Sequence, residues 1–372
     1  MCSERVPAHL ATHESLWRQN PRRASLRWFR EARFGLFVHY SLVSLLERGE
    51  VAFKALFGSR RDLMQACLGT PEEIARSGLS EADREKCHAI RNDLMAEFSA
   101  DRFDADAICD LAMAAGMKYV TLTTRHAGGL FLNETSLTDF SAVHAPAGRD
   151  LVGKMAKACA KRGLGLFLYV PPDVARDDGF YRDRNETLLR ELLTDYGPLA
   201  GIWFDGINPF YEHPERYRLL AQKFALVRDL QPHALVSFKE GSLGKEDFVA
   251  PEHFLFPEPV VWNDDGRQRR WEEALEHWNA RFGAGRHLFA SKPVEICTTM
   301  QECLGRDGRG EDGGWVNNEN VRHLGADDVA FLLKVAWSRD ANLLLNVGPR
   351  GDGSIHPDDQ AALREVGQRL RA

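Results

Sequence analysis

The chain has 372 residues, of which 44% are hydrophobic and 27% are charged, and its formal net charge is −6. This composition is typical of a globular protein, and the acidic balance argues against a nucleic-acid-binding domain, which is normally basic. No apolar stretch reaches the roughly 18 residues of a membrane span, so we expect no membrane partner.

Residues 1–27 are predicted to form an N-terminal extension. This segment mixes charged residues with a few apolar ones and lacks the apolar run of a secretory signal. The seven cysteines of the chain are scattered and form no CxxC pair, which is typical of reduced thiols. The sequence therefore predicts a cytoplasmic protein, and a homo-oligomer is compatible with these features.

Short apolar runs alternate with amphipathic segments of helix length along the rest of the chain. The runs are nearly continuous, as in strands that are covered on both faces. Predicted strands comprise residues 34–39, 119–124, 164–170, 201–204, 234–238, 287–290 and 342–347, with a weak eighth strand around 254–256. Predicted helices comprise residues 105–115, 151–162, 185–194, 214–230, 326–337 and 357–370. This alternation predicts a parallel α/β fold, and residues 28–372 are predicted to form one (β/α)8 TIM-like barrel.

Residues 42–100 interrupt the alternation and are predicted to be a helical insertion after the first strand. Within it, Thr70-Pro71-Glu72-Glu73 has the pattern of a helix capping box. An open doubly wound sheet is the alternative fold, but it usually carries a glycine-rich turn after its first strand. Here His39-Tyr40-Ser41 follows that strand, which favours the barrel. A glycine-rich loop at 305–320 is predicted to form the rim of an active site.

Polar residues follow the predicted strands at their carboxyl ends, where barrel enzymes hold their catalytic groups. They are His39, Arg125, His126, Tyr169, Asp205, Lys239 and Asn346. A polar group buried there needs a hydrogen-bond partner or a ligand. A structural role is the simpler interpretation of any one of them, but their recurrence at successive strand ends favours a site.

Asp205 is the strongest catalytic candidate because it ends the apolar run Ile-Trp-Phe. Gly206 then lets the chain turn away at once. Hydrolysis of a glycosidic bond needs a second carboxyl group, and the residues alone leave Glu252, Glu295 and Glu50 open for this role. Glu252 follows a proline in an aromatic-flanked segment, which suits a proton donor.

A metal site is an alternative use of the same residues. His39, His126 and Asp205 are the residue types of a facial triad. No HxH or HExxH spacing accompanies them, and neutral imidazoles also bind sugar hydroxyls. We therefore predict a site without a metal or another cofactor.

Five blocks of the sequence resemble glycoside hydrolase family 29, the α-L-fucosidases, from residue 28 to the C-terminus. They are WFREARFGLFVHYS, FDADAICDLAMAAGMKYVTLTTRH, the RDLV and RGLGL segments, GIWFDG, and NLLLNVGPRGDGSIHP. The resemblance implies a retaining glycosidase with a carbohydrate substrate, Asp205 as the nucleophile and Glu252 as the acid/base. It also implies that substrate is bound by His39, His126, Tyr169, Lys239, Glu50 and Glu295.

The sequence departs from the family's pattern at positions that the resemblance assigns to sugar recognition. Ala127 replaces the second histidine of the HHDGF motif, Tyr40-Ser41 replaces the last two residues of HWG, and Val51 replaces the tryptophan after Glu50. Losing such contacts changes substrate discrimination strongly. The family's C-terminal β-sandwich is not recognisable, so we expect a single domain.

The sequence therefore predicts a divergent member that cleaves a terminal α-L-fucosyl or related bond by double displacement. A glycosidase for another sugar and a catalytically silent carbohydrate-binding barrel are the alternatives.

Overall fold

The computed structural model describes residues 5–67, 69–171, 179–205, 217–239, 245–250, 292–301 and 314–372. Seven strands of these residues form one curled, fully parallel sheet in the order β5-β4-β3-β2-β1-β7-β6. The strands are β1 (Phe34–Val38), β2 (Tyr119–Thr123), β3 (Gly165–Val170), β4 (Gly201–Phe204), β5 (Leu235–Phe238), β6 (Val294–Thr299) and β7 (Ala341–Val347). The predicted parallel α/β fold is thereby confirmed.

Helices precede, interrupt and follow these strands. The described α-helices are α1 (Glu14–Gln19), α2 (Pro21–Ala32), α3 (Gly49–Ala55), α4 (Arg61–Cys67), α5 (Pro71–Ala75), α6 (Glu81–Glu97), α7 (Ala105–Ala114), α8 (Leu151–Arg162), α9 (Gly179–Asp195), α10 (Tyr217–Leu230), α11 (Ala326–Ser338) and α12 (Pro357–Arg371). Asp104 and Asp150 begin α7 and α8 by accepting backbone N–H bonds of 3.0 and 2.7 Å. None of the described helices combines the length and apolarity needed to cross a bilayer.

Six predicted strands coincide with β1–β5 and β7 to within one residue at either end. The sequence prediction missed β6, which carries Glu295, Thr298 and Thr299 among its apolar residues. Its polar residues interrupt the continuous apolar run on which the other strands were recognised. The strands predicted at 287–290 and 254–256 lie outside the described residues.

A short extended segment, residues 247–250, bonds to both outer strands of the sheet. Parallel bridges pair Phe248 with Ser237 of β5 and Val249 with Val294 of β6. The backbone of Ala250 donates to the Lys239 carbonyl at 2.6 Å, and that of Val249 donates to the Pro293 carbonyl at 3.1 Å. The two outer strands are therefore linked through one piece of chain.

The inner face of the sheet is filled with aromatic side chains. Phe37, Tyr119, Phe167 and Trp203 form a buried cluster with Trp28 and Phe29, which α2 supplies at the amino ends of the strands. Gly165 is needed beneath this layer, because a Cβ atom there would overlap the Trp28 ring. A second, larger cluster fills the space between the outer face and the surrounding helices. Because both faces of the sheet are packed in this way, we expect functional groups at the carboxyl ends of the strands.

The insertion after β1 folds as helices α3 to α6, as predicted, around a third apolar cluster. The capping box also forms: Thr70 Oγ1 accepts from the Glu73 backbone at 3.3 Å, and Glu73 Oε2 accepts from the Thr70 backbone at 2.6 Å. The glutamate of this box also reaches the loop after β2, as described below.

One prediction about the cysteines is wrong. Cys67 and Cys87 form a disulfide that joins α4 to α6, whereas Cys109, Cys159 and Cys297 are buried thiols. Packing of the two helices brings together cysteines that are 20 residues apart in sequence, and spacing alone does not reveal such a pair. The cytoplasmic location, which rested on reduced thiols, stays a prediction.

Candidate active site

The polar residues predicted at the strand ends converge at one edge of the sheet. Because parallel strands end on the same side, their following residues face one another. The residues brought together are His39, His126, Tyr169, Asp205, Lys239 and Asn346. Of the predicted set, Arg125 points elsewhere.

Asp205 lies at the centre of this group. Its Oδ2 accepts a hydrogen bond of 2.7 Å from the Tyr169 hydroxyl, and its Oδ1 lies 3.2 Å from Nζ of Lys239. The carboxylate side chain is 22% exposed. A hydroxyl donor and an ammonium group both bind a charged carboxylate more strongly than a neutral acid. The arrangement therefore presents an ionised, oriented carboxylate at the open edge of the sheet.

Lys239 reaches Asp205 from a backbone conformation that is rare for its residue type. Its φ is +43°, in the left-handed region, which costs free energy for residues other than glycine. Nζ also lies 5.3 Å from the ring centre of Trp203, within the range of a cation–π contact. Strain of this kind at the end of a strand is common in functional sites.

His39 is held in one tautomer by Asn346. Its Nδ1 lies 2.6 Å from Asn346 Oδ1, while Asn346 Nδ2 donates to the carbonyls of Gly314 and Trp315 at 2.9 Å each. Since the amide oxygen faces the ring, Nδ1 carries the proton and Nε2 is left as an acceptor. Burial holds the pKa of His39 well below its usual range. The imidazole is therefore neutral.

His126 stands beside His39 and next to Glu50. The two imidazole rings are perpendicular, with centres 4.9 Å apart. Nδ1 of His126 is buried without a hydrogen-bond partner among the described residues, and Glu50 Oε1 lies 3.7 Å from it. This separation is too long for a hydrogen bond. The two side chains form a close polar contact between the loop after β2 and α3.

Trp315, in the loop predicted to form the rim, also contributes to the site. Its ring lies 4.9 Å from the His39 ring, centre to centre, and its side chain is half-buried. Asn346 holds this residue by donating to its backbone carbonyl. Sequence reasoning marked this loop by its glycines but did not single out Trp315. Residues 302–313 of the same loop lie outside the described residues.

Arg125 is directed away from Asp205 and into the insertion. Its Nη1 lies 3.1 Å from Oε2 of Glu73, and both side chains are buried. In the same loop, the Gly128 carbonyl accepts a 3.2 Å bond from Nε of Arg91 on α6. The insertion therefore contacts the His126 loop at residues on either side of the histidine.

Glu295 lies in the interior of the molecule and not at the open edge. It stands near the start of β6 opposite Asn342, whereas Thr299, at the end of that strand, pairs with Asn346. Its carboxyl group accepts bonds from the Tyr119 hydroxyl at 2.6 Å and from Trp203 Nε1 at 3.0 Å. Burial raises the pKa of Glu295 to about 7. Both oxygens are thus used by the protein itself.

Two residues that depart from the family's pattern, Tyr40 and Ala127, pack against other parts of the structure. Tyr40 is fully buried, stacks 5.6 Å from the Phe103 ring and donates to the Gly351 carbonyl at 2.9 Å. Ala127 packs against the apolar cluster of the insertion. Neither side chain is part of the polar group around Asp205.

The predicted acid/base Glu252 lies outside the described residues. Within the described part of the chain, no group of three or more histidine, cysteine, aspartate or glutamate side chains is arranged to hold a metal ion. His39, a member of the facial triad considered as an alternative, bonds Asn346 through Nδ1.

Comparison with known proteins assigns the chain to a family. The family model described as "Alpha-L-fucosidase" matches residues 1–287 and 295–372. The tissue alpha-L-fucosidase of Homo sapiens is 32% identical over 378 residues, covering 92% of this chain and 67% of that protein. The tissue alpha-L-fucosidase of Rattus norvegicus is 26% identical over 365 residues, covering 93% and 68%.

Solved structures with the same fold carry similar descriptions. Alpha-L-fucosidase isoenzyme 1 from Paenibacillus thiaminolyticus superposes with a TM-score of 0.65 at 25% identity, covering 95% of this chain and 76% of that one. The Thermotoga maritima alpha-fucosidase in complex with fucose has a TM-score of 0.62 at 21% identity, covering 93% and 73%, and this likeness is one of fold. On the family match across nearly its whole length, the chain belongs to the alpha-L-fucosidase family of glycoside hydrolases.

Proposed function

We propose that this chain is a retaining α-L-fucosidase in which Asp205 is the nucleophile. The observation that carries the proposal is the half-buried Asp205 carboxylate, whose two oxygens are oriented by Tyr169 and Lys239. It stands at the end of β4 beside two imidazole rings, in a chain that belongs to a family of glycosidases.

The reaction proceeds by two displacements. A carboxylate oxygen of Asp205 attacks the anomeric carbon, the bond to the leaving-group oxygen breaks, and a carboxylic acid protonates that oxygen. Water then attacks the anomeric carbon of the glycosyl-enzyme, its proton passes to the same acid/base, and Asp205 leaves as a carboxylate. Glu252 is the proposed acid/base, because of its resemblance to the family's segment that carries this group.

Tyr169 and Lys239 assist these steps by binding the charged form of Asp205. The pKa of the Tyr169 hydroxyl is held well above its usual range by burial and by the neighbouring carboxylate, so it stays a hydrogen-bond donor throughout. Charge-assisted bonds of this kind are the stronger ones. When the carboxylate becomes an ester in the intermediate, both bonds weaken, and they strengthen again as Asp205 leaves.

His39 provides a neutral acceptor for a sugar hydroxyl. Nε2 of His39 is an acceptor because Nδ1 donates to Asn346. His126 and Glu50, whose Nδ1 and Oε1 atoms lie 3.7 Å apart, stand beside His39 and are further proposed sugar-binding groups. Hydrogen bonds of this kind give a site its strongest discrimination between sugars.

The scaffold in this proposal is a (β/α)8 barrel. Seven parallel strands are joined at their outer edges by residues 247–250, which occupy the place of an eighth strand. An acid/base at Glu252 then follows this segment directly, as Asp205 follows β4.

Replacement of Asp205 by glycine tests the nucleophile. We expect turnover of an aryl α-L-fucoside to fall by roughly a thousandfold or more, while the fucoside still binds in calorimetry. Added azide can take the place of the missing carboxylate, and a retaining enzyme then releases the β-fucosyl azide. Asp139→Ala is the control, because that carboxylate is 95% exposed and its described ion pair is with His144.

Three results would contradict the proposal. Near-normal turnover of the Asp205→Gly variant would remove Asp205 from the chemistry. A wild-type chain that binds fucose but hydrolyses no member of a panel of aryl α-L-fucosides and aryl galactosides would be the silent carbohydrate-binding barrel, and hydrolysis of a galactoside alone would reassign the sugar.

A further inference from the structure

A carboxyl group in the middle of the protein core requires an explanation. Glu295 is 0% exposed, and burying an acid costs free energy unless its polar atoms are bonded. Among the described residues, Tyr119 and Trp203 donate the hydrogen bonds that counteract the effect of burial on the pKa of Glu295. An apolar residue with apolar neighbours would fill the same space at lower cost.

The chemistry of its two neighbours explains why the residue is an acid. The indole Nε1–H of Trp203 can only donate a hydrogen bond, and the Tyr119 hydroxyl donates in this structure. A carboxylate offers two acceptor oxygens to two donors. Glu295 therefore fixes Trp203 and Tyr119 at once, at 3.0 and 2.6 Å.

Trp203 in turn supports both groups that hold the nucleophile. Its ring stacks with that of Tyr169, with centres 5.8 Å apart and planes inclined by 23°. Nζ of Lys239 lies 5.3 Å from the ring centre. Tyr169 and Lys239 are the residues that bond the two oxygens of Asp205. The Trp203 indole thus contacts both residues that bond the carboxylate of Asp205.

We propose that Glu295 is a positioning residue, which sets the orientation of Asp205 by anchoring the indole of Trp203. This inference rests on the proposed function, since it assigns the residue to the same reaction. It replaces the substrate-binding role that the sequence suggested for Glu295, because both oxygens bond to protein groups.

The test compares Glu295→Gln with Glu295→Leu. Glutamine can keep its carbonyl oxygen on Trp203 Nε1 and turn its amide toward the Tyr119 oxygen, so we expect kcat within about threefold of wild type. Leucine leaves the indole N–H unpaired, and we expect kcat per active site to fall about ten- to a hundredfold, as for other small misplacements of catalytic groups. The KM should change by less than about threefold. Titration with a mechanism-based inhibitor counts the active sites and so removes any effect of partial unfolding.

A double-mutant cycle shows whether the effect passes through the indole. In a Trp203→Phe background the N–H is absent, so Glu295→Leu should lower kcat little further. Tyr119→Phe is the matched control, because it removes the other bond to Glu295 without touching Trp203, and its kcat should stay within about threefold.

The outcomes separate this inference from the proposed function. If turnover depends on Asp205 but Glu295→Leu retains wild-type kcat per active site, the inference fails and the function stands. Equal losses in the Tyr119→Phe and Glu295→Leu variants, or additive losses in the cycle, also overturn it. A wild-type chain without hydrolytic activity overturns both.

Discussion

The Asn346 side chain connects His39 with the loop that carries Gly314 and Trp315. Its amide oxygen faces His39, and its amide nitrogen bonds the carbonyls of Gly314 and Trp315. The residue therefore fixes the His39 tautomer and the rim loop together. A substitution here affects sugar binding as well as stability.

Replacement of Asn346 by leucine is expected to raise the KM for an aryl fucoside roughly tenfold, the effect of about one lost hydrogen bond to the sugar. His39 loses its fixed tautomer and Trp315 its anchor. Asn342→Leu is the control on the same strand, because the described bonds of Asn342 go to the Phe29 carbonyl and the Tyr119 side chain, and not to His39 or Trp315. Both variants should lose about 1–3 kcal/mol of unfolding free energy. Steady-state kinetics and urea titration measure the two effects, and equal KM values would refute the role of Asn346.

Residue positions were predictable where strand pattern and chain position coincide. His39, Asp205 and Lys239 each directly follow a recognisable apolar run, so their convergence follows from the parallel sheet alone. The partner of Arg125 was not predictable, because Glu73 belongs to the insertion 52 residues away in sequence. The interior position of Glu295 was not predictable either, since sequence does not show where along a strand the buried layer ends.

At the scale of elements, the disulfide between α4 and α6 cross-links the helical insertion. A cross-link between cysteines 20 residues apart lowers the entropy of the unfolded chain. This stabilises the folded state by about 3 kcal/mol. The cross-link lies one helical turn from Arg91, whose Nε bonds the loop that carries His126. The insertion is therefore both stabilised and connected to the site through α6.

Reduction of the disulfide is expected to lower the melting temperature and to expose the insertion to proteolysis. The double variant Cys67→Ala, Cys87→Ala should behave like the reduced wild type and should not respond to dithiothreitol, which makes it the matched control. Thiol titration of the denatured, unreduced protein should find at most five of the seven cysteines free. Seven free thiols would show that the bond does not form.

Element boundaries were predictable from periodicity for all strands with continuous apolar runs. The strand β6 was not, because Glu295 and the two threonines of its sequence VEICTT interrupt the apolar run with buried polar side chains. Functional polar residues thus weaken the very pattern by which a strand is recognised. The capping box at Thr70 was predictable, since its signal is local.

At the scale of the whole molecule, three buried histidines set the response to acid. Burial lowers the pKa of His9 to about 3 and that of His233 to about 4, and it holds the pKa of His39 well below 6.5. In the unfolded chain each would protonate near pH 6.5. Unfolding below that pH therefore takes up protons, and their contribution to stability is lost as the pH falls.

Glu295 acts in the opposite direction. Its pKa is raised from 4.5 to about 7, so its contribution to stability is present below pH 4.5 and is lost as the pH rises to 7. Asp359, whose pKa is also raised by burial, acts in the same direction as Glu295. Between about pH 4.5 and 6.5 the three histidines outweigh these two acids, so unfolding takes up protons. The unfolding free energy should then fall by roughly 1–2 kcal/mol for each pH unit of acidification.

Urea titrations at pH 6.5 and 5.5 measure this slope. His233→Gln should reduce it by about 1 kcal/mol per pH unit, and His144→Gln, at a histidine whose side chain is 49% exposed, serves as the control. A slope near zero in the wild type would show that the buried histidines titrate as they do in the unfolded chain.

The parallel α/β class was predictable because strand and helix patterns alternate over most of the chain. The link between the outer strands was not, since the segment 247–250 is only four residues long and makes its contacts far away in sequence. Long-range pairing of this kind leaves little local signal.

That short segment has a consequence for the behaviour of the protein at high concentration. An exposed outer strand offers unpaired N–H and C=O groups on which a second molecule can add a strand, the first step of sheet aggregation. Here Phe248 and Val249 occupy those positions on β5 and β6. The parallel sheet is thereby protected from edge-to-edge association by four residues of its own chain.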